Sequence, residues 1–437
     1  MENIKKQKKI KPPAICIIVL ISAIAAVAAA FFACTGCSKA EKPLYPDTRN
    51  EDALTNAGDT SGGTGSVTNS NSNGTGTNDD TSGDTRANDT AVNDTNANNT
   101  SASDTIADDT NVDDTVSPGT EPNTGTFINP LTGTASDRDL RNSRPVAVMI
   151  NNISQSLPQE GISNADIIYE CTTEGLVTRL MAVMSDYESV KSLGSVRSTR
   201  PCFLELAMGH NAIIAHAGAS AAAYEMIDKY GIDNLDGVNM YLPDGVFYRD
   251  EKRLETMSYE HTMMTSGRGI VSGIAYRKYL AESESSEKSA FRFADSLSDK
   301  ATPSGKADKI SFNYSVDNRI DYIYAEESRV YLRYQYSGKP HIDGANSKQL
   351  AFTNVVVLSC IQTPSGDAER HTNIKLTGEG NGYLFTNGSI FPVIWKKSSE
   401  SSELKLYYPN GEEAILNPGK TFINIVSESI FSDLKTE

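Results

Sequence analysis

Apolar and polar residues divide this chain into regions of different character. Residues 14–33, AICIIVLISAIAAVAAAFFA, are one long run, apolar but for Ser22, behind the basic MENIKKQKKIKPP. From residue 40 to 126 apolar runs vanish, and after Phe127 they return as short segments. VAVMINN (146–152), ADIIYE (165–170) and VTRLMAVMS (177–185) predict strands bounded by Gly, Pro and Asn. CFLELAM (202–208) has helical spacing and follows Pro201, which suits a first helical turn. NAIIAHAG (211–218) predicts a buried strand ending in a glycine turn, and ASAAAYEMIDKYG (219–231) a helix stopped by glycine.

Between about residues 281 and 309 the chain turns polar, with SESSEKSA and SLSDKATPSGK, and reads as an exposed connection. Beyond it KISFNYSV, RIDYIYAEE, RVYLRYQYS, AFTNVVVLSCI, HTNIKLTG, NGYLFTNG, SIFPVIWKK, LKLYYPNG and KTFINIV alternate or run apolar, punctuated by Asn-Gly turns. The pattern predicts an α+β (or α/β) protein. A mixed α and β N-terminal domain, 127–285, precedes a smaller β-rich C-terminal domain, 305–437, packed by its tyrosines and the single Trp395.

The N-terminus predicts export. Residues 1–36 have the basic and apolar regions of a signal peptide, and Thr35 and Gly36 are the small residues that precede a lipoprotein acceptor, here Cys37. Cys34 stands where the bacterial lipobox usually has an aliphatic residue. An uncleaved helix is the alternative, because the apolar run is long enough to span a bilayer; both readings put the bulk outside the cytoplasm. Acylated with palmitate-like chains, Cys37 would anchor the protein to the membrane, stably if two or more chains are attached.

Residues 37–126 read as a tether. Thr, Asn, Asp, Ser and Gly dominate, NDT, SDT and DDT recur, and no aromatic residue occurs between Tyr45 and Phe127. Such a segment cannot bury enough apolar surface to fold. A flexible chain of this length reaches on the order of 50 Å. Most of the net charge of −16 falls here, with fourteen acids against one base, Arg86, between residues 51 and 126. The folded part is therefore only mildly acidic, which still argues against nucleic acid as a partner.

Cysteine and histidine usage narrows the chemistry. Cys171, Cys202 and Cys360 remain beyond the signal, as buried free thiols or with one pair oxidised, and form no C-x-x-C. The five histidines form no H-E-x-x-H, so no metal is expected. P-loop, dinucleotide and nucleophile-elbow motifs are also missing, and no cofactor is expected.

Candidate chemistry centres on GSVRSTRPCF, 194–203. Arg197, Ser198 and Arg200 fall just before a proline-started helix, where free N–H groups favour an anion and guanidiniums add charge-assisted contacts. The competing reading pairs each arginine with an internal acid such as Glu170, Glu174 or Glu205. His216 closes a strand before Gly218 and Ser220 at a helix start, and ligands of α/β sheets gather beyond the carboxyl ends of strands. Glu170 and Glu174 flank a strand end, Arg179 begins the next strand, and Arg249 precedes the His261 of EHTMMT.

RPVAVMINN, ADIIYE…EGLVTRLMAV, GSVRSTRP, HAGAS and LNPGKTFINIV resemble the YerB-like lipoproteins, a bacterial family with no established biochemical role. The resemblance runs from Asn129 to the C-terminus. It implies a mixed α and β domain followed by a smaller one, held outside the cell on a lipid anchor. Carried to this chain, its motif residues are Glu174, Thr178, Arg179, Arg197, Ser198, Arg200, His216, Gly218, Ser220, Arg249 and His261. EHTMMT departs from the family's Pro-His-Asn-like form, with Glu260 and Thr262 around His261.

The expected function is a membrane-anchored, extracytoplasmic lipoprotein that binds an anionic cell-envelope component through an arginine-rich cleft. Two alternatives stand beside it: a hydrolase or transferase of wall precursors with Glu170 or Glu174 as acid or base, and an assembly protein whose β-rich part holds a partner.

Overall fold

A computed structural model describes residues 127–283, 290–294, 302–336 and 338–437. The segments read as signal peptide and tether, with Cys37, lie outside the described residues. What is described is strand-rich, with short helices between strands of the first half.

The first apolar runs form β1 (Val146–Asn151), β2 (Ile167–Thr172) and β3 (Thr178–Met184). Then come β4 (Leu193–Gly194), α1 (Pro201–Gly209), β5 (Ile213–His216), α2 (Ala221–Tyr230) and β6 (Asn234–Asp236). Pro201 opens α1, and Gly231 stops α2 in a left-handed conformation, φ 60°. β7 (Phe247–Arg249) and β8 (Met263–Thr265) join β4 in a three-stranded sheet. The helix α3 (Gly267–Arg277) follows, where the apolar pattern announced nothing.

In the second half, β9 (Lys309–Asn313), β10 (Arg319–Ala325) and β11 (Val330–Gln335) centre a six-stranded sheet. β12 (Asn354–Cys360), β13 (Gly378–Thr386), β14 (Ser389–Lys397) and β15 (Thr421–Ser427) instead enter an 11-stranded sheet with strands of the first half. Its order runs β14-β13-β12-β15-β2-β3-β1-β5-β6, with two short strands beside β14. The regions expected at 127–285 and 305–437 thus share one sheet. β15 joins them, with Phe422 opposite Val355 on one side and Ile168 on the other, both in parallel register.

β12, β15, β2, β1, β5 and β6 all run in one direction, and β3 runs against them. Alternate side chains feed two cores. Met149, Tyr169, Met181 and Ile423 pack with α1 and α2, whereas Val148, Ile168, Ala182 and Phe422 face α3 and the six-stranded sheet. A sheet covered on both faces needs strands that are apolar at nearly every position, which explains the unbroken runs in the sequence. Cys171, Cys202 and Cys360 are buried free thiols, and Trp395 is buried with its Nε1–H donating to the Ser359 carbonyl, 2.9 Å away.

The sheet has two ends. At the amino ends of the parallel strands, the Asn129 side-chain amide donates to Asp166 Oδ1 at 3.1 Å, just ahead of β2. Asn129, near the start of the described residues, therefore lies at that end.

Candidate functional site

Most of the residues singled out from sequence gather at the opposite end, beyond the carboxyl ends of β1, β2, β5 and β6. The link between β2 and β3 is a tight turn, Glu174 to Val177, closed by the Val177 N–H donating to the Glu174 carbonyl at 2.9 Å. Facing it runs the GSVRSTRP segment, tied to β1 by Arg197 N–H to the Met149 carbonyl (3.0 Å) and to the β5 end by Ala217 N–H to the Arg197 carbonyl (3.0 Å).

Three arginines and one carboxylate form the centre. Arg179, on β3, donates through Nη2 to Glu174 Oε1 and through Nη1 to the Ser198 carbonyl at 2.9 Å. Arg200, the residue before α1, donates to the same Oε1 at 3.1 Å. Arg197 reaches outward to Glu260 Oε2 at 3.3 Å, and that carboxylate is half exposed. Burial pushes the Arg179 guanidinium down to about 9, and the charge of Arg200 adds to the shift. Burial alone would raise Glu174, but Arg179 and Arg200 outweigh it and hold its carboxyl below the ordinary range.

Among the described residues, nine buried side-chain atoms have no hydrogen-bond partner, and five of them lie here: Glu174 Oε2, Ser195 Oγ, Arg197 Nε, Thr199 Oγ1 and Arg200 Nε. Buried polar atoms are ordinarily satisfied, so such a concentration in one segment needs a cause.

The other expected residues take different places. His216 is fully buried behind the edge, its Nδ1 2.9 Å from the Gly218 carbonyl and its Nε2 3.2 Å from Asn234 Oδ1. Ser198 Oγ donates to the Ala217 carbonyl at 2.8 Å, and Ser220 caps α2 by accepting from the Ala223 N–H. His261 lies beside the cluster, with Nδ1 2.9 Å from Asn151 Nδ2 and Nε2 3.4 Å from Glu260 Oε1. Burial, helped by Arg197 and Arg253, lowers its pKa although Glu260 opposes this. Arg249 stacks 3.8 Å over the Tyr259 ring and donates to the Tyr259 carbonyl, at the margin of the cluster.

Glu170 does not join the arginines of this edge. Its strand position turns it to the other face of the sheet, where it is fully buried and pairs with Arg333 at 2.6 Å. Thr178 Oγ1 and Asn152 Nδ2 donate to its second oxygen at 2.7 and 3.0 Å. Arg333 in turn contacts His341, whose Nε2 lies 2.8 Å from Gln159 Oε1. With every oxygen engaged inside the protein, Glu170 has no path to a substrate.

Sequence reading missed Asn151 and Ser195, and a loop of the second half that docks on the site. His371 pairs with Glu174 across an isolated bridge, and the Thr372 N–H donates to the Thr173 carbonyl at 2.7 Å. Asp367, Glu369 and His371 bring ligand-type atoms within 4.8 Å of one another, the one such group among the described residues. Only the polar Asn-Asn pair closing VAVMINN hinted at any of this. A cavity of about 720 Å³ lies at the other end of the sheet, lined by Pro145, Ser185, His210 and Lys396 among others, and takes in none of the expected site residues.

The chain resembles known proteins in sequence and in fold. Residues 131–280 match the family described as "Protein of unknown function (DUF3048) N-terminal domain", and residues 310–423 match its C-terminal domain. YerB of Bacillus subtilis (strain 168), named as a lipoprotein, is 28% identical over 302 residues, which is 68% of this chain and 86% of that protein. The crystal structure of YerB from Bacillus subtilis superposes with a TM-score of 0.62 at 25% identity, covering 71% of this chain and 99% of that one. The two matched domains, the relative and the shared fold agree: the chain belongs to the YerB-like family.

Proposed function

We propose that this protein is a membrane-anchored lipoprotein that binds an anionic component of the cell envelope at the arginine edge, on the extracytoplasmic side. The signal-like N-terminus, Cys37 and the name of its relative support the anchor. Among the described residues no helix is long and apolar enough to cross a membrane. The observation that carries the binding reading is the sharing of one carboxylate oxygen by two guanidiniums, in a segment that also holds orphaned Arg197 Nε and Arg200 Nε. Cations crowded around too little negative charge are relieved by an added anion, and desolvated charge-assisted bonds are the strong ones. An acid/base role gains little support: Glu170 is sealed, and Glu174 is held ionised by its arginines.

The test is titration of the full chain with inorganic phosphate and with glycerol phosphate. Arg197→Ala should weaken binding ten- to a hundredfold, on the order of the loss of one charge-assisted contact, while the melting temperature moves little. If the parent takes up neither anion and both Arg197→Ala and Arg200→Ala melt far lower, the arginines are structural and the reading fails.

A further inference from the structure

Two apolar side chains at this edge are not explained by folding. Leu176 is 59% exposed at the tip of the Glu174–Val177 turn and has φ +69°. That left-handed conformation is cheap for Gly or Asn and costly for leucine. The chain thus accepts backbone strain to hold out a leucine that gains almost no burial, two residues from the carboxylate that Arg179 and Arg200 share. Val238 is also 59% exposed. A Cβ placed on Gly218 would lie 3.9 Å from a Val238 methyl and 3.5 Å from Ser198 Oγ. Val238 therefore borders the segment that carries Arg197 and Arg200.

A single exposed apolar residue on a protein surface is ordinary. Two beside a cationic cluster, one of them strained, match a ligand with an anionic head and an apolar body. We infer that the anion held here is carried on an alkyl chain: the ligand class is an alkyl phosphate, with Arg197 and Arg200 taking the phosphate and Leu176 and Val238 covering the first methylene groups. This inference rests on the anion-binding reading and adds the apolar half of the ligand. Charge complementarity supplies the head, and each buried methylene adds favourable transfer free energy.

The experiment compares n-octyl phosphate, inorganic phosphate and n-octanol, titrated into the full chain reconstituted in phosphatidylcholine vesicles and corrected with protein-free vesicles. Octyl phosphate should bind at least about tenfold tighter than inorganic phosphate, and octanol should not bind measurably. The variant Leu176→Asn relieves the left-handed strain, so it should fold at least as well as the parent. Combined with Val238→Ser, it should abolish the octyl preference and leave inorganic phosphate affinity within about twofold. Equal affinities for the two phosphates in the parent, or an octyl preference that survives both substitutions, would overturn the alkyl assignment and leave the anion site standing. A parent that binds neither phosphate would remove both.

Discussion

Arg179 and Arg200 approach the same oxygen atom, Oε1 of Glu174, so a single carboxylate neutralises two largely buried guanidiniums. Its second oxygen is buried without a partner. Arginines this close repel each other, and Glu174 is what lets them coexist.

Glu174→Gln should therefore destabilise the protein by about 3 kcal/mol, the cost of leaving buried charge uncompensated. Phosphate at millimolar concentration should then raise the melting temperature of the variant more than that of the parent. Calorimetry in phosphate and in chloride checks both. Identical shifts would mean that no anion can take the place of the lost carboxylate.

The Glu170–Arg333 pair predicts a different pattern, because both side chains are fully buried at 2.6 Å and tie β2 to the six-stranded sheet. Glu170→Gln or Arg333→Met alone should each cost about 3–5 kcal/mol. The double variant should lose much less than the sum, which a double-mutant cycle in urea measures. Additive losses would show that the two residues act independently.

Burial raises Glu205 to about 7, with Lys397 partly opposing the shift. The folded protein then holds a proton that the unfolded chain releases above its ordinary pKa of 4.5. This contribution to stability is present below about pH 4.5 and is lost as pH rises toward 7, by roughly 3 kcal/mol at most. Nearby His210, lowered to about 4 by burial, acts in the other direction as pH falls from 6.5. The measurement must therefore be the difference between parent and Glu205→Gln: relative to the variant, the parent should weaken between pH 4.5 and 7. A difference that stays flat across that range would contradict it.

Cys37→Ala should leave the signal uncleaved or release the protein from membranes, read by mass and by fractionation. Processing and membrane retention identical to the parent's would reject Cys37 as the acceptor.

Local signals in the sequence announced most strands and helices of the large sheet, and the end of that sheet where polar residues meet. Pro201 and Gly231 mark helix limits as expected, and strand ends at Asn151, Thr172 and His216 carry the site. What stayed hidden was long-range pairing. Nothing local in KTFINIV tells that Ile423 lies beside Tyr169 in parallel register, some 250 residues earlier, since parallel neighbours need no turn between them. Glu170 and Glu174 looked alike from sequence. Strand alternation sends Glu170 to the far face, while the turn brings Glu174 to the arginines. The partners Arg333 and His371 come from the second half by contacts that no spacing encodes.

The clasp of Asn129 on Asp166 fixes the first described residues to the sheet one strand length, about 20 Å, from the arginine edge. If a ligand held at that edge were pulled against a membrane-bound N-terminus, the force would run along β2 and its neighbours. Hydrogen bonds of a sheet lie across its strands, so such a load shears the whole ladder between β2, β3 and β15 at once and does not peel it bond by bond. Held at those two points, the domain would act as a mechanically stiff link between them.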